Sequence, residues 1–148
     1  MGGFQHIRKL LVTLIVVTIL GVAASGCTGN NESKSTSETE TIFYSDEISL
    51  WPDEMKNMTF VALEPGVLTV KYDFEAPENN PTILSIAIVQ NGDYLNAKVI
   101  QAENGEHVKG ALSANVTAGE VQVTLLNGAN ADPNPITYHI EVTYKKLG

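Results

Sequence analysis

The chain has 148 residues, 17 acidic against 9 basic side chains, and a formal net charge of −8. This acidity argues against a nucleic-acid binder, which needs clustered Lys and Arg to displace counterions from phosphates. It also argues against attraction to anionic lipid headgroups. The single cysteine, Cys27, excludes an intrachain disulfide and a cysteine-based zinc site. The length leaves room for one domain.

Residues 1–26 are a predicted secretory signal peptide. A short basic head with Arg8 and Lys9 precedes an apolar run over residues 10–24, and small residues end that run. Basic head, apolar core and small residues in this order are typical of a secretory signal. As a helix the run is about 22 Å long, shorter than the hydrocarbon core of about 30 Å. An uncleaved membrane anchor is the alternative.

The lone cysteine lies directly after the small residues Ala24, Ser25 and Gly26. This end of the leader resembles the lipobox of prokaryotic lipoproteins, although Ala24 stands where leucine is most usual. The resemblance implies that Cys27 is acylated with fatty-acyl chains such as palmitate and becomes the first mature residue. Two acyl chains suffice for stable membrane anchoring. The alternative is an incidental or buried thiol.

Residues 27–40 are predicted to be the acylated cysteine and a disordered polar tether. Six of the 13 residues after Cys27 are Ser or Thr, and none of the 13 is apolar. Such a segment cannot bury enough surface to offset its chain entropy. As a flexible coil it has a reach of about 20 Å.

Residues 41–148 are predicted to form an all-β domain, because the apolar side chains alternate with polar ones at a period of two. One apolar face per strand is typical of antiparallel sheets, and without helices each sheet must cover its apolar face with another sheet. We therefore expect about eight strands, with one or two before residue 50, in a jelly-roll-like two-sheet sandwich. The predicted core positions are Leu68, Val70, Tyr72, Phe74, Leu84, Ile86, Ile88, Leu95, Ala97, Val99, Val108, Leu112, Ala114, Val116, Val121, Val123, Leu125, Ile136, Tyr138, Ile140, Val142 and Tyr144.

Turn residues separate these segments. Asn91-Gly92 and Asn104-Gly105 predict hairpins. Pro65-Gly66 predicts a tight turn in which the glycine adopts a positive φ. Further connections are expected at Ala118-Gly119, between Pro77 and Pro81, and over residues 127–135.

Three segments of the domain resemble prepeptidase C-terminal-type β-sandwich modules. They run over residues 60–70 (FVALEPGVLTV), 116–123 (VTAGEVQV) and 138–142 (YHIEV). The resemblance implies a small jelly-roll-like sandwich that serves as a non-catalytic accessory or binding unit. The acidic Asp-Leu-Tyr segment usual in that family is absent, and residues 86–89 (IAIV) stand at the corresponding place.

Catalytic motifs are not found in the sequence. The two histidines of the domain, His107 and His139, fall on predicted outward strand faces, outside any Gly-x-Ser-x-Gly or His-Glu-x-x-His context. We predict that the protein is not an enzyme; a hydrolase with unrecognised carboxylates is the alternative. The two histidines and Trp51 are kept as candidate binding residues, with a capping role at one end of the core as the alternative for Trp51.

Three oxygen-rich loops, at residues 73–80, 90–93 and 127–134, supply the weak metal candidates Asp73, Asp93 and Asp132. Hard cations such as Ca²⁺ prefer oxygen ligands from flexible loops, but Asn and Asp are equally the residues of ordinary turns. No cofactor is therefore predicted, with Ca²⁺ as the alternative. A transition-metal site formed by Glu103, Glu106 and His107 is a further alternative.

Asparagine sequons at Asn57 and Asn115 are candidate glycosylation sites, and a third lies in the tether at Asn31. Asn115 is predicted to face outward, which would leave it accessible to a glycan.

The sequence thus predicts an extracytoplasmic module, anchored to the membrane by lipid, without catalysis, that contacts an envelope protein or a glycan. A structural envelope spacer is the alternative. An outward-facing apolar patch would favour binding and a uniformly polar surface would favour the spacer. Ala111, Leu126 and Ile100 are the predicted outward apolar residues.

Overall fold

The computed structural model describes residues 39–78, 80–128 and 134–148. Chain contacts divide the protein into Met1–Ser35 and Thr36–Gly148, and every described residue belongs to the second unit. The predicted signal peptide, Cys27, nearly all of the tether and Asp132 lie outside the described residues. In the described part of the chain, no helix is long and apolar enough to cross a membrane.

Eight antiparallel strands form two four-stranded sheets, which confirms the predicted all-β sandwich. Sheet A has the strand order β1-β8-β3-β6, and sheet B has the order β2-β7-β4-β5. The strands are β1 (Glu40–Leu50), β2 (Met55–Ala62), β3 (Gly66–Glu75), β4 (Thr82–Gln90), β5 (Asp93–Ala102), β6 (His107–Val116), β7 (Gly119–Asn127) and β8 (Ile136–Lys146). Apart from the β4–β5 hairpin, consecutive strands lie in different sheets, so the chain crosses repeatedly between the two layers.

The hydrophobic core lies between the sheets. The predicted inward positions of β3, β4, β6, β7 and β8 all face it, and Leu68, Leu84 and Val123 are fully buried. β1 contributes Ile48 and Leu50. The period-two pattern therefore identified the inner face correctly on five strands.

On β5 the predicted inward face is wrong. Ile100, predicted to point outward, is buried, whereas Val99, predicted to point inward, is 63% exposed. β5 is an edge strand, so part of its inner face stays open to polar groups. Lys98 occupies an inner position there and donates to the Tyr72 hydroxyl at 3.0 Å. Leu95, also predicted inward, is the extra residue of a β-bulge and is 39% exposed.

The turn predictions hold only in part. Asn91 and Gly92 both have positive φ, as a two-residue hairpin between β4 and β5 requires. Asn104-Gly105 does form a turn, but the predicted hairpin is wrong because β5 and β6 lie in different sheets. Gly66 begins β3 without a positive φ. It is needed there because the Tyr144 ring lies where a side-chain Cβ would be.

Different contacts close the two sides of the sandwich. Between β5 and β6, the Asn96 side-chain amide donates to the Ser113 carbonyl at 2.9 Å. Between β1 and β2, the Phe43 ring stacks on Phe60 and on Tyr144, with centroid distances of 5.6 and 5.4 Å. A polar bond thus closes one seam and an aromatic stack closes the other.

Asn127, at the end of β7, is a fully buried polar residue that ties three elements together. Its Nδ2 donates to the Leu50 carbonyl at 3.0 Å, and its Oδ1 accepts from the Tyr138 hydroxyl at 3.0 Å. Its backbone also pairs with Asp53 and Glu54 of the β1–β2 turn. Burial raises the pKa of Tyr138, so the hydroxyl stays protonated as the donor.

Candidate functional site

The outer faces of the two sheets differ in charge. The outer face of sheet A, here called the charged face, carries acidic and basic side chains on all four strands: Glu47, Lys71, Asp73, His107, Lys109, His139 and Glu141. Lys71 pairs with Glu141 at 2.7 Å. Asp73 accepts from His107 at 2.5 Å and from Lys109 at 3.0 Å. Ion pairs therefore neutralise much of this face.

The charged face brings together three of the candidate site residues. His107 is bonded to Asp73, and His139 lies opposite Asp73 in the β3–β8 register. The bonds from His107 and Lys109 hold the pKa of Asp73 below its ordinary range, so the carboxylate is ionised at neutral pH. Both histidines are exposed, as predicted, and His107 contacts a carboxylate rather than a hydroxyl or thiol nucleophile.

An open hollow of about 350 Å³ lies on this face. Lys71, Asp73, Lys109, Ala111, His139 and Glu141 line it. Ala111 faces outward, as predicted, but these charged residues surround it, so it forms no apolar patch.

Among the described residues of the oxygen-rich loops, Gln90 and Asn127 use their side chains for structure. Asp73 lies within β3 rather than in a loop, and Asp93 begins β5 beside the hairpin. Gln90 bonds the backbone of Thr117 through both amide atoms, each at 2.9 Å, and Asn127 is occupied in the core. The Glu106 carboxylate accepts from the Glu103 amide, while His107 bonds Asp73 instead.

Across the described residues, no three His, Cys, Asp or Glu side chains are placed to hold a metal ion. The candidate set Glu103, Glu106 and His107 is therefore not a formed site. Asn80, the last residue of the first oxygen-rich loop, and Thr82, two residues later, are buried with side-chain polar atoms that have no partner, but both residues are uncharged.

The outer face of sheet B contains three rows of four residues without a single acidic or basic side chain; we call these rows the neutral face. Each row crosses β2, β7, β4 and β5. The rows are Met55, Leu126, Ser85 and Val99; then Asn57, Thr124, Ala87 and Ala97; then Thr59, Gln122, Val89 and Tyr94. In a chain with a net charge of −8, this absence of charge sets the neutral face apart.

Exposed apolar side chains stand on the two edge strands of the neutral face. Met55 on β2 is 56% exposed, and Val99 and Tyr94 on β5 are 63% and 75% exposed. Leu126 lies on this face and is half-buried, in agreement with its predicted outward direction. Between the two edges the central strands carry serine, threonine, alanine, glutamine, leucine and valine side chains.

The remaining candidates lie at the surface. Trp51 is 58% exposed in the β1–β2 turn, so the interpretation that it caps the core is wrong. Asn57 lies on the neutral face, where its Oδ1 accepts from the Thr124 hydroxyl at 2.8 Å. Asn115 is exposed on the outer face of sheet A, as predicted.

The sequence reasoning missed Tyr94, although a signal for it was present. A two-residue hairpin at Asn91-Gly92 pairs Gln90 with Asp93 and therefore Val89 with Tyr94. Because Val89 belongs to the outward set of β4, Tyr94 shares the outer face. The turn type thus fixed the direction of Tyr94 independently of the β5 alternation.

Comparison with known proteins found no matching family model and no matching curated protein. Among solved structures, one described as "CBM4 structure and function" is 13% identical with a TM-score of 0.49, over 76% of this chain and 81% of that one. The CBM36-1 domain of a multidomain xylanase from the hindgut metagenome of Trinervitermes trinervoides is 12% identical with a TM-score of 0.42, over 76% and 92%. A family GH115 4-O-methyl-alpha-glucuronidase is 9% identical with a TM-score of 0.45, over 86% of this chain but only 20% of the enzyme. Likenesses this weak say nothing about ligand or activity.

Proposed function

We propose that this chain is a non-catalytic binding module, held outside the cell by acyl chains on Cys27, whose contact surface is the neutral face. The observation that carries the proposal is the contrast between the two outer faces. Charged side chains neutralise one another on the outer face of sheet A. The neutral face exposes Met55, Val99 and Tyr94 to solvent instead.

An uncharged face favours contact because little has to be desolvated. Burying an acidic or basic side chain without a partner costs several kcal/mol, whereas burying an apolar one is favourable by about 25 cal/mol per Å². A spacer has no need of exposed apolar side chains, and a polar surface would suit it better. The ligand is uncharged where it touches this face, because a charge there would find no counter-ion.

The contact surface is tested in cells that produce the full chain with a photo-crosslinking residue at Ala97 or, as the control, at Ala111. Both are exposed alanines on the outer face of an edge strand, one on each sheet. We expect a covalent adduct, seen as a mass shift, from position 97 and not from position 111. No adduct from position 97, or equal adducts from both positions, would contradict the proposal.

The anchor is tested separately with Cys27→Ser. We expect the variant to leave the membrane fraction or to keep its leader uncleaved, because the acyl acceptor is lost. Mass spectrometry of the wild-type chain should show an acylated Cys27. A variant that is still processed and membrane-bound would refute the acyl anchor and leave the contact-surface test untouched.

A further inference from the structure

The neutral face has the chemistry of a carbohydrate site, and this inference rests on the proposed function. Apolar side chains cover it together with hydrogen-bonding ones: amides at Asn57 and Gln122, hydroxyls at Thr59 and Ser85, and a phenol at Tyr94. A sugar ring presents C–H groups on its faces and hydroxyls around its edge. Ligand sites pair apolar surface with a few placed polar groups, which is the combination that such a ring requires.

A protein partner fits this face less well. Protein interfaces place large apolar and aromatic side chains at the centre and polar ones at the rim. Here the most exposed apolar side chains, Met55, Val99 and Tyr94, stand on the edge strands. The central strands carry small or polar residues such as Ser85 and Thr124, and their larger apolar residues, Leu126 and Val89, are half-buried. The pattern is the reverse of a protein–protein hot spot.

The sizes of the side chains on the neutral face suit an extended sugar chain. The middle row of the face carries the small side chains of Thr124, Ala87 and Ala97. The rows on either side carry longer side chains, Met55 and Leu126 in one and Gln122 and Tyr94 in the other. Four strands span about 14 Å, which is wide enough for a few linked sugar rings. Aromatic rings bury a large surface and attract the partly positive C–H groups of a ligand, so Tyr94 is placed to stack on a ring.

We propose that the neutral face binds a neutral polysaccharide, with Tyr94 as the stacking residue. Acidic polysaccharides are disfavoured, because their carboxylates would meet no cation on this face and the chain itself is acidic. The ligand class is therefore an uncharged glycan in extended form.

The test is affinity electrophoresis of the full chain in mild detergent, in native gels that contain one soluble polysaccharide each. The neutral arms are soluble starch, laminarin, arabinoxylan and galactomannan, and polygalacturonate is the acidic arm. We expect retardation by at least one neutral arm and none by polygalacturonate. Tyr94→Ala should weaken that retardation by about tenfold in dissociation constant, and Ala97→Asp should abolish it.

Two control variants test whether a loss of binding is specific to the neutral face. Leu63→Ala removes an exposed apolar side chain (83% exposed) that follows β2 and is outside the three rows of the neutral face, and Ala111→Asp places a carboxylate on the charged face. Both should bind like the wild type. Absence of retardation in every neutral arm, equal retardation by polygalacturonate, or a Tyr94→Ala variant that binds normally would each overturn the glycan inference.

The two proposals fail in different ways. If the crosslink from position 97 joins a protein and no glycan retards the chain, the module binds through the neutral face but the glycan inference is wrong. If position 97 gives no adduct in cells, the contact surface itself is wrong.

Discussion

Asn127 gives the sharpest test of what stabilises the sandwich. Asn127→Leu keeps the branched shape and the number of heavy atoms of the side chain but removes both of its hydrogen bonds, to the Leu50 carbonyl and from the Tyr138 hydroxyl. Each buried polar group left without a partner costs about 1–3 kcal/mol. We therefore expect Asn127→Leu to lower the free energy of unfolding by about 2–6 kcal/mol.

The assay is urea unfolding of the full chain in mild detergent, followed by far-UV circular dichroism. With an m-value of about 2 kcal/mol/M, the midpoint should fall by about 1–3 M. Tyr138→Phe leaves only the Asn127 Oδ1 without its donor, so its midpoint should fall by about 0.5–1.5 M. The same spectra should show β-structure with little helix.

The double variant decides whether the two residues act together. In the Asn127→Leu background the Tyr138 hydroxyl already lacks its acceptor, so Tyr138→Phe should restore about 1 kcal/mol rather than cost it. If Tyr138→Phe costs as much in that background as in the wild type, the two side chains are not coupled and the reasoning is refuted.

Three further changes probe single features. Gly66→Ala should lower the free energy of unfolding by about 1–3 kcal/mol, because the new Cβ would overlap the Tyr144 ring and the Lys145 carbonyl; an unchanged urea midpoint would contradict this. Asn91→Ala should lower the free energy of unfolding by about 1 kcal/mol, because φ is 55° there and alanine rarely adopts a positive φ. Asn91→Gly should not lower it, so equal urea midpoints for the two variants would count against a strained turn. The ion pairs depress the pKa of Asp73, so their stabilisation is present above its ordinary pKa of about 4 and is lost as the pH falls through the lower, folded-state value. Between pH 5 and pH 2 Asp73→Asn should therefore lose less stability than the wild type, and parallel losses would show that the pairs contribute nothing.

The fold could be predicted because burial imposes a period of two on any strand with one covered face. The prediction succeeded on the central strands and also on the edge strand β6: Leu68 on β3 and Leu112 on β6 are buried as expected. It failed on β5, an edge strand with the long polar side chain of Lys98 at an inner position, so that apolar residues do not mark the inner face there. Local turn signals also cannot tell a hairpin from a crossing between sheets, since both use the residues found at Asn104-Gly105.

The candidate site could be predicted only in fragments. His107 and His139 were placed on an outward face, but that they flank Asp73 depends on the β6-β3-β8 order, which alternation does not encode. The neutral face is likewise a property of four strands that are distant in sequence. Its most exposed aromatic residue, Tyr94, was assigned no face because the wrong β5 alternation began only at Leu95.

The bulges have a consequence for how the molecule behaves at high concentration. One lies on β1 between Ile42 and Tyr44, and the other is at Leu95 on β5, so each sheet has an irregular strand at one edge. An irregular, twisted edge is a poor template for a strand from a second molecule, which is the first step of cross-β aggregation. Concentrated molecules are therefore expected to stay separate at these two edges.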